Sequence, residues 1–111
     1  GARMSAGSDW TVSTLNPLDA MQVAVTRQSI TTKDKPALAI EQALTLEQIL
    51  KAYTTGGAWV NCSNSYTGSL SPGKLADFVV FDRDFVKGQS EDIHKALVVR
   101  TYLAGKPVYI R

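Results

Sequence analysis

GSLSPGKLADFVVFD, residues 68 to 82, is the stretch that decides the fold. Ser71-Pro72-Gly73-Lys74 fits a type II turn: proline presets one φ and glycine supplies the positive φ at the next position. The run that follows, residues 76–82, is continuously β-branched and aromatic between its two aspartates. It predicts a strand buried on both faces or nearly so. A turn feeding such a strand places this half of the chain in a sheet.

Downstream, Ser90 to Lys95 predicts one helical turn. Ala96–Leu103 and Pro107–Ile110 predict two strands joined as a hairpin at Ala104-Gly105-Lys106. Upstream, residues 61–75 are polar and turn-rich. Before them, Thr45 and Gln48 form a capping box, and Leu44 is placed to staple onto Ile49. Leu46, Ile49, Leu50 and Tyr53 then share one face, predicting core packing for a helix over about 45–54. Gly56-Gly57 is read as ending that helix or turning the chain into a short further one. Residues 29–37 read as an exposed loop broken by Pro36. Asn16-Pro17, with Asp19 in the first turn, opens a helix over about 17–27. Residues 4–8 are small enough to end a buried strand. Helices thus precede strands, an α+β pattern. Two helices and two or three strands make a thin core, which suggests that partner surface lies elsewhere.

Composition narrows the function. Charged residues are 20% of the 111 and the net charge is +2, with both signs interspersed. No basic face points to nucleic acid. One cysteine, Cys62, excludes an intrachain disulfide. No apolar run approaches the ~20 residues of a membrane span. The expectation is a cytoplasmic protein. The chain begins Gly1-Ala2-Arg3-Met4, so either a tag scar precedes Met4 or the chain is cut from something longer.

The residue that invites chemistry is Asp9, in Gly7-Ser8-Asp9-Trp10. By type alone a lone carboxylate in a polar turn is a capping or turn residue; the alternative is a metal ligand. Trp10 reads as a core or cleft-wall aromatic ahead of a substrate-stacking one. His94 reads as a surface or helix-end histidine, and Cys62 as a small buried hydrophobe. Lys74 and Arg83 read as solvated turn charges. Pro72-Gly73 implies no phosphate cradle, because a strand follows instead of a helix.

GSDW, NPLDAMQVAVTRQ, ALTLEQILKAYTTGGAW, GSLSPGKLADFVVFDRD and VVRTYLAGKPVY occur in this order. Together they closely resemble the carboxyl end of metal-dependent amidohydrolases. The subgroup is amidohydrolase family 3, which includes N-substituted formamide deformylase-like proteins. The resemblance covers about residues 5–111. It implies the end of a TIM (β/α)₈ barrel followed by part of a small β-sandwich. Residues 1–60 would be the barrel end, with 4–9 as its last strand and the two helices packing on it. Residues 61–111 would supply sandwich strands.

The resemblance also implies a role for Asp9. The family's aspartate after the eighth strand binds a divalent metal, usually zinc, and moves the proton of an attacking water. The family's other ligands have no counterpart here: a His-x-His pair, a carboxylated lysine or equivalent, and two barrel histidines. His94 matches none of them. The chain alone is therefore expected to hold no metal and to be inactive, since a catalytic zinc usually needs three protein ligands. Thr11 stands where the subgroup usually has proline. The implied parent hydrolyses a C–N bond of a small amide, formamide or cyclic amide. The alternative is a free-standing, non-catalytic interaction or structural module. Either way, exposed edges predict self-association of the isolated chain.

Overall fold

A computed structural model describes every residue except Lys33. The chain forms two compact units. One comprises Gly1–Ala6, Lys51–Arg83 and Leu97–Arg111; the other comprises Gly7–Leu50 and Asp84–Ala96.

The second unit is built on α1, Pro17–Thr26. Asn16 caps it: its side-chain oxygen accepts from Leu18 N at 3.2 Å, and its amide donates to Asp19 at 2.9 Å. Arg27 ends it in the left-handed region, its N–H returning to the Val23 carbonyl. α1 packs against a 3₁₀ segment at Ser90–Lys95. Leu18, Met21, Ile49, Phe85, Ala96 and the fully enclosed Ile93 are the buried apolar residues described in this unit. The described part of the loop over 29–37 has no helix or strand, as expected; Lys33 lies outside the described residues. A 3₁₀ turn at Ile40–Gln42 precedes the next helix.

α2 spans Leu46–Lys51. The capping box forms, with Thr45 N donating to Gln48 at 2.8 Å and Gln48 N to Thr45 Oγ1 at 3.2 Å. Ile49 is buried and Leu46, Leu50 and Tyr53 are partly buried, so the expected stripe is the inner face. Burial also raises the Tyr53 phenol above its usual pKa. The glycine pair does not end the helix. The chain widens to a π turn over Ala52–Gly56 and continues as α3, Gly57–Val60. Gly56 is required for a different reason: a Cβ there would strike the Met4 carbonyl.

The first unit carries an antiparallel sheet ordered β1-β2-β3: Phe78–Phe81, Val98–Leu103 and Lys106–Ile110. Phe78 pairs with Tyr102 across the ladder, and their rings stack with centroids 4.5 Å apart. The Ser71–Lys74 turn closes at 3.1 Å with Gly73 at φ +86°. The hairpin turn is two residues, Ala104-Gly105, both at positive φ; Lys106 already belongs to β3. That is the type I′ arrangement suited to strand twist.

Three expectations fail. Val79 and Val80 are 44% and 39% exposed, so β1 is not buried on both faces. The apolar run fits a covering layer that is absent among the described residues. No strand forms over 4–9; residues 1–9 carry no regular structure. A strand exists only through ladder partners, and residues 1–9 have none among the described residues. Cys62 is exposed, in the turn just past the end of α3.

Candidate functional site

Asp9 opens a tight turn. Val12 N–H donates to the Asp9 carbonyl at 2.7 Å, and Ser13 Oγ donates to the Ser8 carbonyl at 2.6 Å. Asp9 itself sits at φ +50°, a conformation that aspartate tolerates better than most residues. Its side chain is exposed and takes no hydrogen bond or ion pair from any described residue. It caps nothing; the helix cap that follows is Asn16. Trp10, next to it, is 62% exposed and is no core residue of this chain.

The two other aspartates singled out by position in the fold are fully engaged. Asp77 Oδ1 accepts from Ala104 N at 2.7 Å and Oδ2 from Thr67 Oγ1 at 3.3 Å. Asp82 Oδ1 accepts from Leu97 N at 2.9 Å, and both its oxygens take the Arg83 guanidinium at 3.1 Å. That guanidinium, then the Leu97 N–H, holds the Asp82 carboxyl down at about 2. These two carboxylates fix β1 against both ends of β2.

His94 is partly buried in the last turn of the 3₁₀ segment, the helix-end position expected for it. The buried Gln22 Oε1 accepts from both its backbone N–H at 3.0 Å and its ring Nδ1 at 2.6 Å. One oxygen serving both contacts places the ring proton on Nδ1. Lys74 is also tied, donating from Nζ to the Thr67 carbonyl at 3.1 Å. Arg83 remains exposed but serves Asp82. Gln22, Asp77 and Asp82 carry structure that residue type and spacing did not flag.

Among the described residues, no three His, Cys, Asp or Glu side chains converge to hold a metal ion. The donor set fits a divalent metal only as a contributor: Asp9 offers a free carboxylate, one ligand of the three that a catalytic zinc usually needs. A groove of about 260 Å³ lined by Arg3, Met4, Lys51, Thr55 and Gly56 holds no carboxylate and is not that site. Among the described residues, no helix is long and apolar enough to cross a membrane.

Comparison with known proteins adds the following. Residues 1–109 match the family model described as the amidohydrolase family. The chain is 37% identical over 108 residues to the Arabidopsis thaliana Protein LONG AFTER FAR-RED 3, covering 97% of this chain and 18% of that protein. It is 32% identical over 111 residues to an N-substituted formamide deformylase of Arthrobacter pascens, covering all of this chain and 20% of that one. A crystal structure of an amidohydrolase from Thermotoga maritima MSB8 superposes with a TM-score of 0.52 at 33% identity, over 66% of this chain and 18% of that one. The chain therefore spans about a fifth of the length of the curated relatives it matches.

Proposed function

Because the chain belongs to the amidohydrolase family, we propose that it is the carboxyl-terminal portion of a metal-dependent enzyme that hydrolyses a C–N bond of an amide, formamide or cyclic amide. The observation that carries this is Asp9: a carboxylate with no partner among the described residues, on a turn braced by its own hydrogen bonds. Residues 1–60 are the end of the barrel. Residues 61–111 contribute the sandwich strands.

A divalent metal, most simply zinc, held beside Asp9 would lower the pKa of a water to near ~7. Asp9 supplies one ligand to that metal. Its carboxylate takes the proton released as water attacks the carbonyl and returns it to the departing nitrogen. The remaining ligands come from outside this chain, so residues 1–111 alone do not turn over. The activity named for the Arthrobacter relative favours formamides among the possible substrates. D9N in the full-length enzyme tests the reading. A loss of about 10³-fold in kcat with an unchanged fold is expected. A full-length frame without an upstream His-x-His segment would sink it.

The isolated chain has a second behaviour. β1 and β3 are both sheet edges, and Val79, Val80, Val108 and Ile110 stand exposed on them. Such edges seek strands to pair with. The 111-residue chain is expected to self-associate; a monomeric mass by light scattering across a tenfold concentration range would count against it.

A further inference from the structure

Residues 3–6 lie lengthwise along the helix that runs from α2 through the π turn into α3. Ala6 N–H donates to the Ala52 carbonyl at 3.1 Å. The Met4 carbonyl lies against Gly56, where a Cβ would strike it. The Arg3 guanidinium stands 5.0 Å from the centroid of the Trp59 ring, within cation–π range. As the segment runs forward from Arg3 to Ala6, its partners run backward from Trp59 through Gly56 to Ala52. Those partners recur at i, i+4 and i+7, one face of a helix. The segment is seated antiparallel to the helix, and the seat falls on the π turn, Ala52–Gly56. Single π turns inside helices are frequent at functional sites.

Nothing in its own backbone requires glycine at 56. Its φ of −66° and ψ of −47° suit any residue. Only the close approach of the Met4 backbone demands it. Gly57 makes the contrast. It has the same right-handed conformation, and a Cβ there would meet nothing nearer than the Ala52 carbonyl at 3.9 Å, an ordinary contact. Asp9 follows Ala6 by three residues, and three residues of chain span about 11 Å at most. We propose that Gly56 is a positioning residue: by letting the Met4 carbonyl close onto the helix, it seats the segment that leads into Asp9 and limits where that carboxylate can stand. The inference rests on Asp9 being a metal ligand. Gly56 touches neither metal nor substrate and acts through residues 4–6. A methyl group at 56 displaces the Met4 backbone and unseats Ala6; the same methyl at 57 does neither.

Two measurements test it. Hydrogen exchange of the Ala6 amide in the 111-residue chain reports on the seat itself: G56A speeds it by at least about tenfold, and G57A leaves it as in the wild type. G57A also does not lower the melting temperature, since it replaces a helical glycine by a better helix former. Zinc affinity of the full-length apoprotein, read by competition with a chelator, reports on the carboxylate without turnover. G56A weakens zinc by about tenfold and G57A leaves it unchanged, as expected when a ligand loses its support. W59L removes the ring beneath Arg3 without crowding Met4; it gives both changes to a smaller extent and replaces G56A if that variant does not fold. Unchanged Ala6 exchange overturns the seat. Faster exchange with unchanged zinc affinity overturns the positioning role and makes Gly56 a packing residue. A D9N variant that binds zinc as tightly as the wild type sinks the Asp9 reading separately, since Ala6 exchange still reports on the seat.

Discussion

Two kinds of aspartate occupy this chain, and they differ in everything except chemistry. Asp77 and Asp82 flank β1 and spend their oxygens on backbone and side-chain donors. Asp9 spends none of its own on any described residue. Both of the engaged carboxylates serve the fold, and at Asp82 the Arg83 guanidinium and the Leu97 N–H also hold the group as an anion. A carboxylate with no partner contributes nothing to stability and stays available for a ligand. Engagement, more than residue type, separates the two structural acids from the one proposed to be functional.

Substitutions break or sharpen that contrast. The largest effect is expected at Asp9: D9N lowers turnover of the full-length enzyme by about 10³-fold while its melting temperature barely moves. A melting-temperature loss as large as that seen at Asp77 would erase the distinction. D77A has the opposite profile. It strips the acceptor from Ala104 N–H and Thr67 and is expected to cost about 1–3 kcal/mol, read from denaturant unfolding of the 111-residue chain. Q22L probes a neutral counterpart in the other unit. It removes the single oxygen that serves both His94 donors and should cost about 1–2 kcal/mol by the same measurement. N16A, which removes only the cap of α1, should cost about 1 kcal/mol.

The smallest effect is electrostatic. Asp82 has a folded pKa of about 2, below the roughly 3.9 of an unfolded aspartate. A depressed folded pKa stabilises the protein above the unfolded value. That contribution is lost as pH falls from about 4 through 2. D82N should flatten this part of the denaturation-midpoint profile and leave the neutral region less affected. An unaltered acid slope in D82N would mean that the Arg83 and Leu97 contacts do not persist in solution.

Legibility in the sequence followed the range of the interactions. The α1 cap, the capping box, the 71–74 turn and the β2–β3 hairpin are made by residues within four positions of each other, and all were predictable. Asp77 and Asp82 were not recognised as clamps, because their partners lie 27 and 15 residues away. Gln22 was missed since a polar residue on an amphipathic helix normally faces water, and its ring partner is 72 residues off. The β1 run and residues 4–9 were misread for the reverse reason. Their composition suits neighbours that are absent among the described residues. For Asp9, sequence alone left the capping and metal readings open; the family resemblance chose between them, and the turn geometry shows only that no cap is made.

The Asp77–Ala104 bond also orders events in time. A two-residue hairpin closes on a scale of microseconds, whereas β1 must search across a much longer loop before it can dock. The β2–β3 ribbon is therefore expected to form first and to present two N–H groups, those of Ala104 and Leu97, as a ready template. β1 arrives second, and its paired carboxylates register it on that template as a latch with two bolts. D77A should accordingly slow refolding less than it speeds unfolding, since a bond made last is absent from the transition state.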